Sequence, residues 1–299
     1  MSTLKTFLFL MLLRLAAVGA ELFYCLQPYG RCSAFPEAAA QSGRTHIVID
    51  ESRDGSPEKR WTPQELATFR KRGAVVLCYL SIGEAEDYRG YWRRKWKHNP
   101  PDFLLAENPR WKGNFIVRYW DDAWQQIILK ELERIANDGY DGVYLDIVDG
   151  YEHFERLARR DFAINPSTRR SYRDDMIRWI MRLAERGRTL RPGFKVFIQN
   201  GEALLADTRL LQAIDGLAVE DLFCDGGKMQ PEPEVASRLK FVRLAQSAGK
   251  TCFAVEYPTA DRRKKVAALA RQHAIDLLMT DRDLKTPGTS IPLQKKKHP

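Results

Sequence analysis

Eight short apolar runs recur along the chain, each followed by a longer stretch with helical spacing of its apolar residues. They are Phe23 to Leu26, His46 to Ile49, Ala74 to Leu80, Gly142 to Leu145, Lys195 to Gln199, Gly216 to Val219, Thr251 to Val255 and Ile275 to Met279. None alternates strictly between apolar and polar residues, as expected of parallel strands covered on both faces. The intervening stretches carry helix signals. Thr62-Pro63-Gln64-Glu65 is a capping box with proline at the first helical position. Trp124 to Ile135, Met176 to Leu183, Glu232 to Ala248 and Ala260 to His273 supply later crossovers. Such alternation leaves a closed barrel or an open doubly wound sheet. The open sheet normally shows a glycine-rich phosphate turn after an early strand, and none is present. The expectation is therefore an α/β protein built as a single (β/α)8 TIM barrel over 21–285, a size that suits one barrel.

Two segments depart from the repeat. Phe115 to Tyr119 would make a ninth strand, and is assigned to a Trp-rich insertion between strands 3 and 4 holding Trp92, Trp96, Trp111 and Trp120. No helix-length pattern follows Met279, so 286–299, with Lys295 to Lys297, is expected to be a basic tail. At the other end, Lys5, the apolar run Phe7 to Leu13 and Val18-Gly19-Ala20 have the layout of a signal peptide over 1–20. That predicts a secreted or periplasmic protein with no stable membrane insertion.

The formal charge is +9, but Lys and Arg are scattered and form no stripe interleaved with aromatics, so no nucleic-acid partner is expected. Five histidines include no close pair with metal-ligand spacing, and five cysteines form no metal framework, so neither metal nor cofactor is expected. Cys78 and Cys252 fall inside apolar strands and read as core. Cys25 and Cys32 could pair in an oxidising compartment, which spacing alone does not establish. Nothing in the sequence indicates an oligomeric state.

The functional face of a parallel barrel lies at the C-terminal strand ends. Those positions read Asp50, Glu84, Glu86, Asp146, Asp149, Glu202, Glu220, Asp221, Glu256 and Asp281, an acidic ring in a basic protein. Acidic residues also begin helices, which accounts for Asp149 or Asp221. It does not account for Asp146 and Glu220, which directly end apolar runs. Two carboxyls facing one cavity suit glycoside cleavage, one protonating the leaving oxygen while the other attacks or activates water. Tyr79, Tyr88, Trp92, Tyr151 and Tyr257 flank the rim as surfaces for sugar rings.

Cys78-Tyr-Leu-Ser-Ile-Gly-Glu-Ala-Glu86, Gly139-Tyr-Asp-Gly-Val-Tyr-Leu-Asp146 and Gln199-Asn-Gly-Glu202 resemble the motifs of glycoside hydrolase family 114. That family comprises endo-α-1,4-polygalactosaminidases and relatives, some of which carry a cysteinyl-tRNA-synthetase-like label. The resemblance runs from about Leu22 to Asp281. It implies a (β/α)8 barrel, hydrolysis of α-1,4 linkages in a galactosamine-containing polysaccharide, and catalytic residues Asp146 and Glu220. Substrate contacts are expected from Asp50, Tyr79, Glu84, Glu86, Asp149, Tyr151, Asn200, Glu202, Glu256, Tyr257 and Asp281. Barrel α-galactosidases use a similar nucleophile on the fourth strand and acid/base on the sixth, an analogy of fold. Two readings compete: a non-catalytic polysaccharide-binding barrel, and a metal-assisted hydrolase using the acidic rim, whose activity a chelator would abolish.

Overall fold

The computed structural model describes residues 19–26 and 35–293. Lys5, the run Phe7 to Leu13, Cys32 and Lys295 to Lys297 lie outside the described residues, and with them most of the expected leader, the proposed Cys25–Cys32 pairing and the basic cluster.

Eight parallel strands appear where the apolar runs predict them: β1 (Leu22–Cys25), β2 (His46–Ile49), β3 (Val75–Ser81), β4 (Gly142–Asp146), β5 (Lys195–Gln199), β6 (Gly216–Glu220), β7 (Thr251–Glu256) and β8 (Asp276–Met279). They pair in sequence order around a single sheet, as a TIM barrel requires. Every second residue points inward. Leu22 and Tyr24, Val48, Leu77 and Tyr79, Tyr144, Phe197, Ala218, Phe253 and Val255, and Leu278 form the interior core. Their neighbours in sequence, such as Val76, Val143, Ile198 and Leu217, face the helices in a second core. Burial on both faces is why the strands read as continuous apolar runs rather than alternating ones. Gly216 makes room for the interior: a Cβ there would stand 2.1 Å from Cε1 of Phe197.

A short strand stands where a full barrel would carry its eighth outer helix. β9 (Thr289–Ile291) runs antiparallel to β8, pairing Met279 with Thr289, and lies inside the stretch expected to be a tail. It fills the gap between β8 and β1. The N–H of Leu22 donates to Oγ of Ser290 at 3.1 Å, and Arg44 donates to the carbonyls of Leu22 and Gly288 at 2.9 and 2.7 Å. The Asp276 carboxylate accepts from the amides of Ala20 and Leu293 at 3.0 and 2.8 Å, tying the two ends of the described chain together. The barrel is thus nearly closed, with side chains completing what the ladder leaves open.

Helices cover the outside: α1 (Phe35–Gln41), α2 (Pro63–Phe69), α3 (Asp122–Asp138), α4 (Tyr151–Ala158), α5 (Tyr172–Leu190), α6 (Thr208–Ala213), α7 (Glu232–Ser247) and α8 (Arg263–Gln272). The capping box before α2 forms in both directions between Thr62 and Glu65. α3 starts on an Asp121 cap, buries Trp124, Ile128, Leu132 and Ile135 along one stripe, and ends at Gly139 with φ 98°. The short helices α1, α4 and α6 were not expected, because six to eight residues barely complete two turns of periodicity.

Between β3 and β4 the chain folds a separate antiparallel sheet from Glu84–Glu86, Asn114–Val117 and Leu104–Glu107. Trp96 packs edge-on against Trp92 and Phe103, with ring centroids 5.2 and 5.5 Å away. This sheet sits beside the mouth of the barrel and contributes Glu86, Trp111 and Asn114 to its wall.

Candidate active site

β4 ends at Asp146 and β6 at Glu220. Each lies two positions beyond an interior residue, Tyr144 and Ala218 respectively, so the pleat aims both carboxyls into the barrel mouth. There they line one cavity of about 1560 Å³. Tyr79, on the neighbouring β3, donates its hydroxyl to Oδ2 of Asp146 at 2.8 Å. Tyr257, just beyond β7, donates to Oε1 of Glu220. Asn200 holds Glu220 twice: Oδ1 accepts from its backbone N–H at 2.9 Å, and Nδ2 reaches Oε2 at 3.4 Å.

The chain leaves these strands through left-handed residues: Ile147 (φ 55°) after β4, Asn200 (φ 57°) after β5 and Asp221 (φ 48°) after β6. Asn and Asp tolerate that region, but a β-branched isoleucine does not adopt it readily. The approach is close as well, since a Cβ on Gly83 would stand 2.4 Å from the carbonyl oxygen of Ile147. Strain of about 1–3 kcal/mol per such residue is typical of functional sites, and the surrounding packing must hold it.

Much of the charge in the cavity is paired. Arg89 is buried between Asp50 and Glu86, Arg238 pairs with Glu202, and Arg282 pairs with Asp221. The expected acidic ring is therefore largely neutralised by arginines that come from the insertion, α7 and the loop after β8. Among the described residues, Asp146, Asp149 and Glu220 have no ion-pair partner, and all three line the cavity. Burial, and then the charge of Glu220, pushes the Asp146 carboxyl well above the ordinary carboxylate range; the Ile147 amide and Tyr79 hydroxyl pull it partway back. Burial, with Glu152 and Glu220, pushes Asp149 up to about 7.

Of the residues expected to contact substrate, Asp50, Tyr79, Glu86, Asp149, Asn200, Glu202 and Tyr257 line the cavity with Asp146 and Glu220. Glu84, Tyr151, Glu256 and Asp281 do not, and each has a physical reason. The Glu84 carboxylate is taken by Nδ2 of Asn108 and Asn114, at 2.7 and 3.3 Å, within the insertion sheet. Tyr151 opens α4 with its side chain fully buried. Glu256 follows interior Val255, so it faces outward, where it accepts from the amides of Phe223 and Cys224 at 2.9 and 3.0 Å. Burial raises it to about 8. Asp281 closes a turn on the amides of Lys285 and Thr286, each at 2.9 Å. Arg89, Arg238, Arg282 and Phe162 also line the cavity and were not anticipated, because a rule that reads strand ends is blind to side chains arriving from helices and loops. Among the described residues no cluster of His, Cys, Asp or Glu has the arrangement of a metal site, and no helix is long and apolar enough to cross a membrane.

Comparison with known proteins agrees with this architecture. An uncharacterized protein of Methanocaldococcus jannaschii is 38% identical over 224 residues, covering 73% of this chain and 62% of its own length. The chain thus spans under two thirds of that relative. The glycoside hydrolase domain of PelA from Pseudomonas aeruginosa superposes with a TM-score of 0.66 at 17% identity, over 92% of this chain and 99% of the domain. Aspergillus fumigatus Ega3, solved in complex with galactosamine, gives 0.64 at 17% identity, over 92% and 96%. At such identities the two structures establish the fold. The family rests on the sequence: the model of glycoside-hydrolase family GH114 matches residues 39–296, and the chain belongs to that family.

Proposed function

We propose that this protein is a retaining glycosidase that cleaves α-1,4 linkages of a galactosamine-containing polysaccharide, with Asp146 as nucleophile and Glu220 as general acid/base. The observation that carries the reading is the pair itself. Two carboxyls, on strands two apart, face one cavity without a basic partner, each held by a tyrosine hydroxyl.

In the first step the Asp146 carboxylate attacks C1 while Glu220 gives its proton to the departing glycosidic oxygen, leaving a covalent glycosyl ester. In the second, Glu220 takes a proton from water, which attacks C1 and releases Asp146. The cycle needs Asp146 ionised, and its burial works against that. A cationic substrate resolves the conflict. An ammonium group on the sugar, seated near the unpaired Asp146 and Asp149, favours the ionised form of Asp146 that attack on C1 requires. Arginines already pair with Asp50, Glu86, Glu202 and Asp221, so Asp146, Asp149 and Glu220 are left to attract such a group. A polymer of this kind would be met outside the cytoplasm, which accords with the expected secreted or periplasmic location.

The test is incubation of the protein with defined α-1,4-linked galactosamine oligomers and their N-acetylated counterparts, followed by NMR of the first product. Cleavage of the amino oligomers with α-configured product is expected. No cleavage of either series would overturn the substrate assignment, and a β-configured first product would overturn the retaining mechanism.

Tyr79 offers a check on proton placement. Its hydroxyl lowers the proton affinity of Asp146, so Tyr79→Phe should raise it further. The reaction requires Asp146 ionised, so the acid limb of the kcat/KM profile should move to higher pH in the variant. A limb that stays in place, or moves down, would separate Tyr79 from Asp146 ionisation.

A further inference from the structure

Phe162 lines the cavity, yet its side chain is 62% exposed and its backbone is left-handed, with φ 54°. Both features are unfavourable for a bulky apolar residue, and the structure braces them. Glu155, itself buried, accepts from the N–H of Phe162 at 2.7 Å and from Nε and Nη2 of Arg173 at 2.8 Å each. The Arg173 guanidinium lies between two rings, 4.2 Å from the centroid of Phe162 and 5.0 Å from that of Tyr151. An ion pair anchored on α4 and α5 thus supports one ring from beneath and fixes the backbone that carries it. The exposed part of the ring is left to the cavity. Its neighbour Asp161 also lines the cavity, and its charge acts on the Arg173 guanidinium.

We propose that Phe162 is a sugar-binding platform away from the cleavage point, stacking on an amino-sugar unit of the bound polymer. This rests on the glycosidase reading above and names how the same cavity holds a longer chain. A pyranose presents C–H groups on one face, and an aromatic face is electron-rich, so it attracts both those polarised hydrogens and a nearby ammonium. Covering one side of the ring with a fixed guanidinium keeps it in place before substrate arrives, which lowers the ordering cost of binding. Leu157 and Ile164 are as exposed, but neither lines the cavity, so a hydrophobic protein partner would engage those two rather than Phe162 alone.

The experiment compares wild type with Phe162→Ala and Phe162→Trp on two substrates: a long, partly deacetylated α-1,4 galactosamine polymer and an aryl α-galactosaminide that fills only the cleavage point. Retention of the proteins in a gel containing the polymer is measured alongside. For Phe162→Ala, KM for the polymer should rise about tenfold at little-changed kcat, as for lost binding that is equal in ground and transition states. Its gel retention should weaken, and Phe162→Trp should restore both. Turnover of the aryl substrate should change less than about twofold. Equal losses on both substrates, or an unchanged polymer KM, would overturn the platform while leaving the glycosidase reading intact. A wild type that turns over the aryl substrate but neither binds nor cleaves the polymer would overturn it too. Wild type inactive on both and unretained would remove the substrate reading, and the platform with it.

Discussion

Asp146→Asn is expected to abolish turnover on every substrate and, at the same time, to make the protein more stable at neutral pH. The kinetic loss should be on the order of 10⁴-fold or more, because an amide cannot form the glycosyl ester. The stability gain follows from linkage. Burial and Glu220 raise the folded-state proton affinity of Asp146 above its unfolded value. The native state therefore binds more protons than the unfolded one, and stability falls as pH rises from the unfolded pKa through the folded one. Asparagine is neutral and of the same shape, so it removes that cost. A gain of about 1 kcal/mol, or roughly 2 °C in Tm, is expected at pH 7. The gain should vanish below pH ~3, where aspartate is protonated in both states. Thermal melts of the two proteins at several pH values measure it, and a variant less stable than wild type at neutral pH would contradict the electrostatic account.

Glu220→Gln should divide substrates by their leaving groups. Natural glycosides need the departing oxygen protonated, and losing a general acid costs about 10²–10⁴-fold. An activated aryl glycoside leaves without help, so its first step should proceed almost as in wild type. The second step still lacks the base that activates water, so the glycosyl-enzyme should accumulate and release of the aryl group should show a burst. Added azide needs no deprotonation and should restore turnover. Intact-mass detection of the trapped adduct on Asp146 would join both assignments in one measurement. Uniform loss across leaving groups, with neither burst nor azide rescue, would take the acid/base role away from Glu220. Because Asn200 and Tyr257 both hold Glu220, the glutamine variant should keep its place in the fold.

The strand count, the parallel order and the pair of strand-end carboxyls facing one cavity could all be read from the chain because each depends on local pattern. Runs of apolar residues without alternation announce strands buried on both sides, and a carboxylate that ends such a run has a defined direction. Parity was the signal that separates true rim residues from false ones. Asp146 and Glu220 continue the interior series of Tyr144 and Ala218, while Glu256 is one residue out of step with Val255 and turns outward. Asp281 lies beyond β8, where the pleat no longer governs direction and the local turn claims its carboxylate.

Tertiary structure alone decided the rest. No pattern marks Thr289–Ile291 as the strand that fills the barrel gap, because three residues carry no period and Leu22, on the far side of that gap, is distant in sequence. Nor does sequence reveal that Arg89, Arg238 and Arg282 neutralise the acidic ring, since arginine is long enough to reach from a helix or loop to any nearby carboxylate. The left-handed backbone at Ile147 and Phe162 is invisible for a stronger reason. Local preference opposes it, and only packing summed over distant segments outweighs that preference. Direction along a strand is a local property of the chain, whereas charge pairing and strain depend on which segments the fold brings together.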